Sequence, residues 1–254
     1  MNADFAFPSL RSILLLPVLE SLAAGCGGGG DDEDDGPDVP GADATGVYRG
    51  TATPDGGTSS PANLIVAPGG QFQLITSVAL FSGTGTTDGM EFSANATGYA
   101  PPGTSFPSGA TTGNFSLMGT VVERSRVSGT FSGAGLSGRV SLDFDATFTN
   151  RPASLQALAG SYQVQAPPGA PSASFAITSS GVVTSNSSDG CVGNGTFQVI
   201  QASVNIYSWS VTFSSCPVAS QNGTFTGLAF MPTDNLLVVS GNSSAAGLAF
   251  SATK

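Results

Sequence analysis

The sequence predicts an all-β chain: two tandem, small antiparallel meander β-barrels of about eight strands each, behind a disordered N-terminal tether. Three observations predict it. Apolar and polar residues alternate with period two almost throughout after residue 45, the pattern of half-buried antiparallel strands. Turn pairs punctuate the runs, among them Pro68-Gly69-Gly70, Asp88-Gly89, Ser180-Gly181, Thr233-Asp234 and Gly241-Asn242. The two halves also share markers. Each opens on Gly-x-Tyr (Gly46-Val47-Tyr48, then Gly160-Ser161-Tyr162), and each ends on Leu-x-Phe-x-Ala-Thr, at 142–147 and 248–253.

In chain order, the first element is a secretory segment over 1–25. Arg11 is its only base, an apolar run spans 13–19, and Ala23, Ala24 and Gly25 lead to Cys26. The apolar run is too short for a bilayer span, which takes roughly 20 residues. Leu22-Ala23-Ala24-Gly25-Cys26 resembles the lipobox of bacterial lipoprotein signals; the alternative is an ordinary cleaved signal peptide that contains a cysteine. The lipobox resemblance implies a mature chain that begins at a lipidated Cys26. Two or more acyl chains give stable anchoring where one does not. Residues 26–45 then read as a Gly/Asp-rich tether, with almost nothing apolar to bury. Its 19 residues after the cysteine span roughly 25 Å r.m.s. as a flexible coil. Asp31, Asp32, Glu33, Asp34 and Asp35 form a solvated spacer, or alternatively a surface-export signal as in some lipoproteins. Gly27 stands where an Asp can mark inner-membrane retention in such proteins, so the resemblance implies the outer membrane of a Gram-negative bacterium.

The first β domain covers 46–150 and the second 151–254. In 140–148 (VSLDFDATF), Val140, Leu142, Phe144, Ala146 and Phe148 share one face as a single strand. Ser154-Leu155-Gln156-Ala157-Leu158-Ala159 is the only helical pattern, a link that caps a barrel end. Eight strands follow, near 160–166, 172–179, 181–186, 193–200, 205–213, 222–231, 235–241 and 246–253. In 205–213 (NIYSWSVTF), Tyr207, Trp209, Val211 and Phe213 oppose Ser208, Ser210 and Thr212. Closure into barrels removes exposed strand edges; one sandwich per half is the alternative. The Ser/Thr/Asp face excludes outer-membrane barrels, whose outer band is apolar.

The chain as a whole resembles a family of uncharacterised Gram-negative lipoproteins, of the kind common in betaproteobacteria. The residues that carry this are the Cys-Gly-acidic start and 154–162 (SLQALAGSY). Gly190-Cys191, the strand at 205–213, Cys216 and 223–229 (GTFTGLA) extend it. The resemblance implies a Cys191–Cys216 disulfide, in line with an even pair of cysteines left in an exported chain. It implies no activity.

Composition excludes several classes. The chain has no His, which removes Ser-His-Asp and Cys-His catalysis and leaves two cysteines without a zinc set. Its net charge of −10 is concentrated in the tether. From Gly46 onward eight acids meet six bases, so no basic patch exists for nucleic acid. Gly133-Ala134-Gly135-Leu136-Ser137-Gly138 matches a dinucleotide fingerprint, yet a strand follows it rather than a helix, so it reads as a hairpin. Asp143 and Asp145 read as solvated surface acids rather than a hydrolytic pair. The run from Asp31 lacks the bidentate Glu of a calcium loop.

The expectation is therefore no enzyme, metal or cofactor. It is an outer-membrane-anchored lipoprotein acting as a noncatalytic binding or envelope-interaction module, with the membrane held through Cys26 and an unknown protein as partner. Tyr99 and Phe106, in the long turn-rich loop 98–113, are the candidate partner contacts. The alternative is a lipocalin-like carrier of a small apolar ligand, with Tyr207, Trp209 and Phe213 lining the cavity. A further alternative is a structural envelope protein.

Overall fold

The structure is a computed structural model and describes residues 41–166 and 170–254. The signal segment, Cys26 and the acidic run at 31–35 lie outside the described residues. Two closed eight-stranded antiparallel barrels follow one another. Barrel 1 comprises β1 (Gly46–Pro54), β2 (Ser60–Val66), β3 (Gln71–Ile75), β4 (Leu80–Asp88), β5 (Glu91–Tyr99), β6 (Thr112–Val122), β7 (Arg126–Gly133) and β8 (Leu136–Phe144). Helical turns α1 (Ala146–Thr149) and α2 (Leu155–Leu158) link it to barrel 2. Barrel 2 comprises β9 (Gly160–Val164), β10 (Ala173–Ile177), β11 (Val182–Ser187), β12 (Val192–Val199), β13 (Tyr207–Ser214), β14 (Gly223–Thr233), β15 (Leu236–Asn242) and β16 (Gly247–Thr253). Each strand pairs with its sequence neighbours, and β1–β8 and β9–β16 close the rings. The second closure is short, with only Ala252↔Val164 and Thr253↔Gln163 in register.

Alternation decides what each barrel holds. Phe72, Phe81, Phe115, Phe131 and Leu142 point into barrel 1, where Phe81 meets the rings of Phe115 and Phe131 at 4.9 and 5.2 Å. Tyr162, Phe175, Phe197, Trp209 and Phe225 do the same in barrel 2, with Tyr162 stacked on Phe175 at 5.0 Å. The Gly-rich segment 133–138 is the β7–β8 hairpin. Ala134 and Gly135 take φ of 46° and 79°, the positive pair that matches a two-residue turn to strand twist.

Two expectations are corrected. The strand expected through Phe148 stops at Phe144, because the Asp145 carboxylate accepts from the Phe148 N–H at 3.0 Å and caps α1. Residues 41–45, expected in the tether, belong to the fold. Ala42 and Ala44 pack against the barrel 1 core, the Ala42 N–H donates to Gly89 O at 2.7 Å, and Thr87 Oγ1 donates to Ala42 O at 2.9 Å. The equivalent stretch before barrel 2 is α2, capped by Ser154. There Leu158 is fully buried and its carbonyl accepts from the Tyr162 hydroxyl at 2.7 Å. Ala44 occupies the matching place before Tyr48, whose buried hydroxyl has no partner among the described residues.

The barrels are joined through their outer walls. Val47, Ile65 and Ala67 of barrel 1 pack against Val204, Ile206, Leu228, Phe230 and Val238 of barrel 2. Phe148 of α1 contacts Phe230 at 5.6 Å between centroids. Strand β14 serves both sides: Phe225, Ala229 and Met231 enter barrel 2, while Leu228 and Phe230 enter the joint. At about 1.5–3 kcal/mol per large buried side chain, this joint is worth on the order of 10 kcal/mol. That is comparable to the whole stability of an ordinary domain, so the apolar seam couples the two barrels energetically.

Candidate functional site

Four places in the molecule bear on function: the barrel 2 interior, the long loop of barrel 1, the disulfide end of barrel 2, and its outer wall.

In the barrel 2 interior, Tyr207 and Trp209 are buried and Phe213 is half-buried. The register places Trp209, Gly227 and Gly241 side by side on three neighbouring strands. The indole lies against Gly241, where a Cβ would sit 2.5 Å from Trp209 Cζ2. Its N–H donates to the wall carbonyls of Ser240 at 3.0 Å and Leu228 at 3.3 Å. Its face stacks on Phe197 at 6.4 Å. The Tyr207 hydroxyl accepts from the Ser154 N–H at 3.2 Å, which ties it to the cap of α2. Burial raises the pKa of Tyr207 above the ordinary phenol value, and that of Tyr162 further. Phe213 packs edge-on to Phe225 at 5.6 Å. The polar handles of Tyr207 and Trp209 are thus committed to the barrel wall and the cap.

The loop 100–111 does not offer its aromatics to a partner. Phe106 turns inward, 3% exposed, onto the Phe115 ring at 5.2 Å and closes the end of barrel 1. Backbone bonds from Phe106 N to Ala110 O and from Ser108 N to Ala134 O hold the loop down. Tyr99 is 5% exposed and works in the joint: its hydroxyl donates to Ser243 O at 3.0 Å and accepts from Asn242 Nδ2 at 2.9 Å. Both residues are corrected from exposed contacts to structural ones. A Pro/Gly-rich loop above an apolar barrel end gains more from inserting its ring than from leaving it in water.

Cys191 and Cys216 form a disulfide. It closes the open end of the β12–β13 hairpin, away from the joint. Asn222 clamps it, accepting from the Cys216 N–H and donating to Cys216 O, both at 3.0 Å. Asp143 is solvent-exposed and paired with Arg126 at 3.5 Å; Asp145 is spent on its cap and on Arg49 at 3.4 Å. The two acids do not act together.

Sequence reasoning missed Asn205, the polar centre of the joint. Buried to 1% exposure, it donates from Nδ2 to Phe148 O (2.8 Å) and Met231 O (2.7 Å), and accepts from the Met231 N–H (3.2 Å). Its own N–H donates to Thr149 O at 3.0 Å. It also missed an open depression of about 310 Å³ on the outer wall of barrel 2. Ser161, Gln163, Ser174, Thr184 and Asn186 line it with hydroxyl and amide groups and no charge. Among the described residues no His/Cys/Asp/Glu group is arranged to hold a metal ion.

No protein-family model matches the chain, and no curated protein is significantly similar to it.

Proposed function

We propose that the chain is a noncatalytic interaction module, anchored through a lipid on Cys26 to the outer membrane of a Gram-negative bacterium. The observation that carries this reading is the filling of both barrels. Rings and aliphatic side chains occupy the interiors, so binding falls to the outer walls. A carrier of an apolar ligand has less support, because the rings expected to line its cavity bond to the barrel itself. The joint fits a scaffold that presents two coupled walls, on the end of a tether.

Fractionation of cells that express Cys26→Ser tests the anchor. The variant is expected in the soluble fraction, and its retention in membranes would sink the anchoring reading. Protease shaving of intact cells, with lysed cells as control, then tells whether the barrels face the medium or the periplasm.

A further inference from the structure

We propose that the depression on the outer wall of barrel 2 is a binding site for an uncharged sugar, one hexose ring of a neutral glycan. The proposal deepens the interaction-module reading and rests on it. The strand register builds the site. On β10, Ser174 pairs with Gln163 of β9 on one side and Asn186 of β11 on the other. Ala176 likewise stands between Ser161 and Thr184. All six side chains take the outward positions of their strands. The small Ser174 and Ala176 make the floor, and the flanking strands make the rim. The volume of about 310 Å³ is at the lower end of ligand sites, which run about 300–1,000 Å³. Ser174 Oγ donates to Asn186 Oδ1 at 2.8 Å. That bond fixes the amide and leaves its Nδ2 as an unspent donor among the described residues.

Shape and charge select the occupant. Two strand spacings of about 4.8 Å and two residues of about 3.4 Å each give a floor of roughly 10 by 7 Å, the footprint of one pyranose ring. A ring laid there sets C–H groups on the Ala176 methyl. Its hydroxyls then meet Ser161, Gln163, Thr184 and Asn186, which both donate and accept. Ionic ligands find no counter-charge. From Gly160 onward the chain carries three charged side chains, Asp189, Asp234 and Lys254, against nine between Gly46 and Phe144. Each of the three is committed elsewhere: Asp189 to the Ser187 hydroxyl, Asp234 to Arg151, and Lys254 Nζ to Ala157 O at 2.6 Å. A peptide finds no edge to extend, because β10 is hydrogen-bonded to a strand on both sides. An apolar ligand meets hydroxyl and amide groups where it needs rings.

The test titrates the full chain, with Cys26→Ser to keep it in solution, against the methyl glycosides of glucose, galactose and mannose. Methyl glucuronide and glycerol are the charged and acyclic controls, and backbone amide shifts report binding. About four hydrogen bonds at an open site support a Kd on the order of 1 mM. At least one hexoside should give saturable shifts confined to 161–163, 174–176 and 184–186, roughly tenfold tighter than either control. Ala176→Glu sets a charged side chain on the floor and should abolish the response. Thr212→Glu, exposed on β13 outside the depression, should leave it unchanged, with Trp209 emission as the check that both variants fold. Asn186→Ala, a smaller change, should weaken binding about fivefold and carries the test if Ala176→Glu does not fold. Absence of saturation with all three hexosides overturns the proposal. So do shifts spread evenly over the wall, equal binding of the glucuronide, or binding that survives these substitutions. None of those results bears on the anchor, which the Cys26→Ser fractionation judges separately.

Discussion

Replacing Asn205 with Ala removes three side-chain hydrogen bonds from the centre of the joint and strands two carbonyls and one N–H around a position that is 1% exposed. A hydrogen bond contributes about 1 kcal/mol net, and a buried group left unpaired costs about 1–3 kcal/mol. The N–H and carbonyls lie in backbone that α1 and β14 hold in place, so little relaxation is available. The expected loss is about 3 kcal/mol. For a body of this size that lowers Tm by roughly 2–4 °C per kcal/mol, or about 6–12 °C in total. Urea unfolding followed by circular dichroism and by Trp209 emission measures it. Wild type should show coincident transitions, because the joint rivals either barrel in strength. In the variant the two probes should separate as barrel 2 loosens from α1. A loss below about 1 kcal/mol, with coincident transitions, would refute the view that Asn205 bolts the barrels together.

Three other outcomes are expected. Burial, helped by the charges of Asp43 and Glu123, raises the Tyr48 hydroxyl to about 12 from its usual 10.0. The fold favours the neutral phenol, so this stability is complete below pH 10.0 and falls as pH rises through about 12, by about 3 kcal/mol at 1.4 kcal/mol per unit. Tyr99, Tyr162 and Tyr207 are shifted the same way; tyrosinate absorbance against pH reads all four, and full titration of the folded protein near pH 10.0 would contradict the burial argument. Gly241→Ala drives a methyl onto Thr226 O and the Trp209 ring and should cost about 1–3 kcal/mol, read as a fall in urea midpoint with a change in Trp209 emission. Reducing the disulfide opens a loop of 25 residues and should destabilise barrel 2 by about 3 kcal/mol, measured as urea midpoints with and without dithiothreitol.

The strands were legible where one wall faces water. The Tyr207–Phe213 alternation and the 133–138 hairpin follow from period and turn chemistry alone. The joint broke that period and hid in it. Leu64-Ile65-Val66, Leu228-Ala229-Phe230-Met231 and Leu237-Val238-Val239 are unbroken apolar runs, the mark of strands buried on both faces, and they were the available signal for it. The end of β8 was missed because Asp145 reads equally well as an outward strand residue or a helix cap, and only the free Phe148 N–H decides. Tyr99 and Phe106 were misplaced for a related reason: an aromatic near a loop looks the same in sequence whether it points out or in. Nothing local to Asn205 marks it, since its partners lie 26 and 57 residues away.

The order in which the walls are completed has its own consequence. Barrel 1 can close once β8 reaches β1, through pairs such as Tyr48↔Phe144. Its outer residues Val47, Ile65 and Ala67 gain most of their cover from residues between Val204 and Val238. That cover arrives only as barrel 2 forms, after barrel 1 can close. During that interval a finished barrel displays an apolar strip to its surroundings. Ring closure by distant strands is slow as well, so the half-made protein is at its most adhesive just when its first domain is already complete.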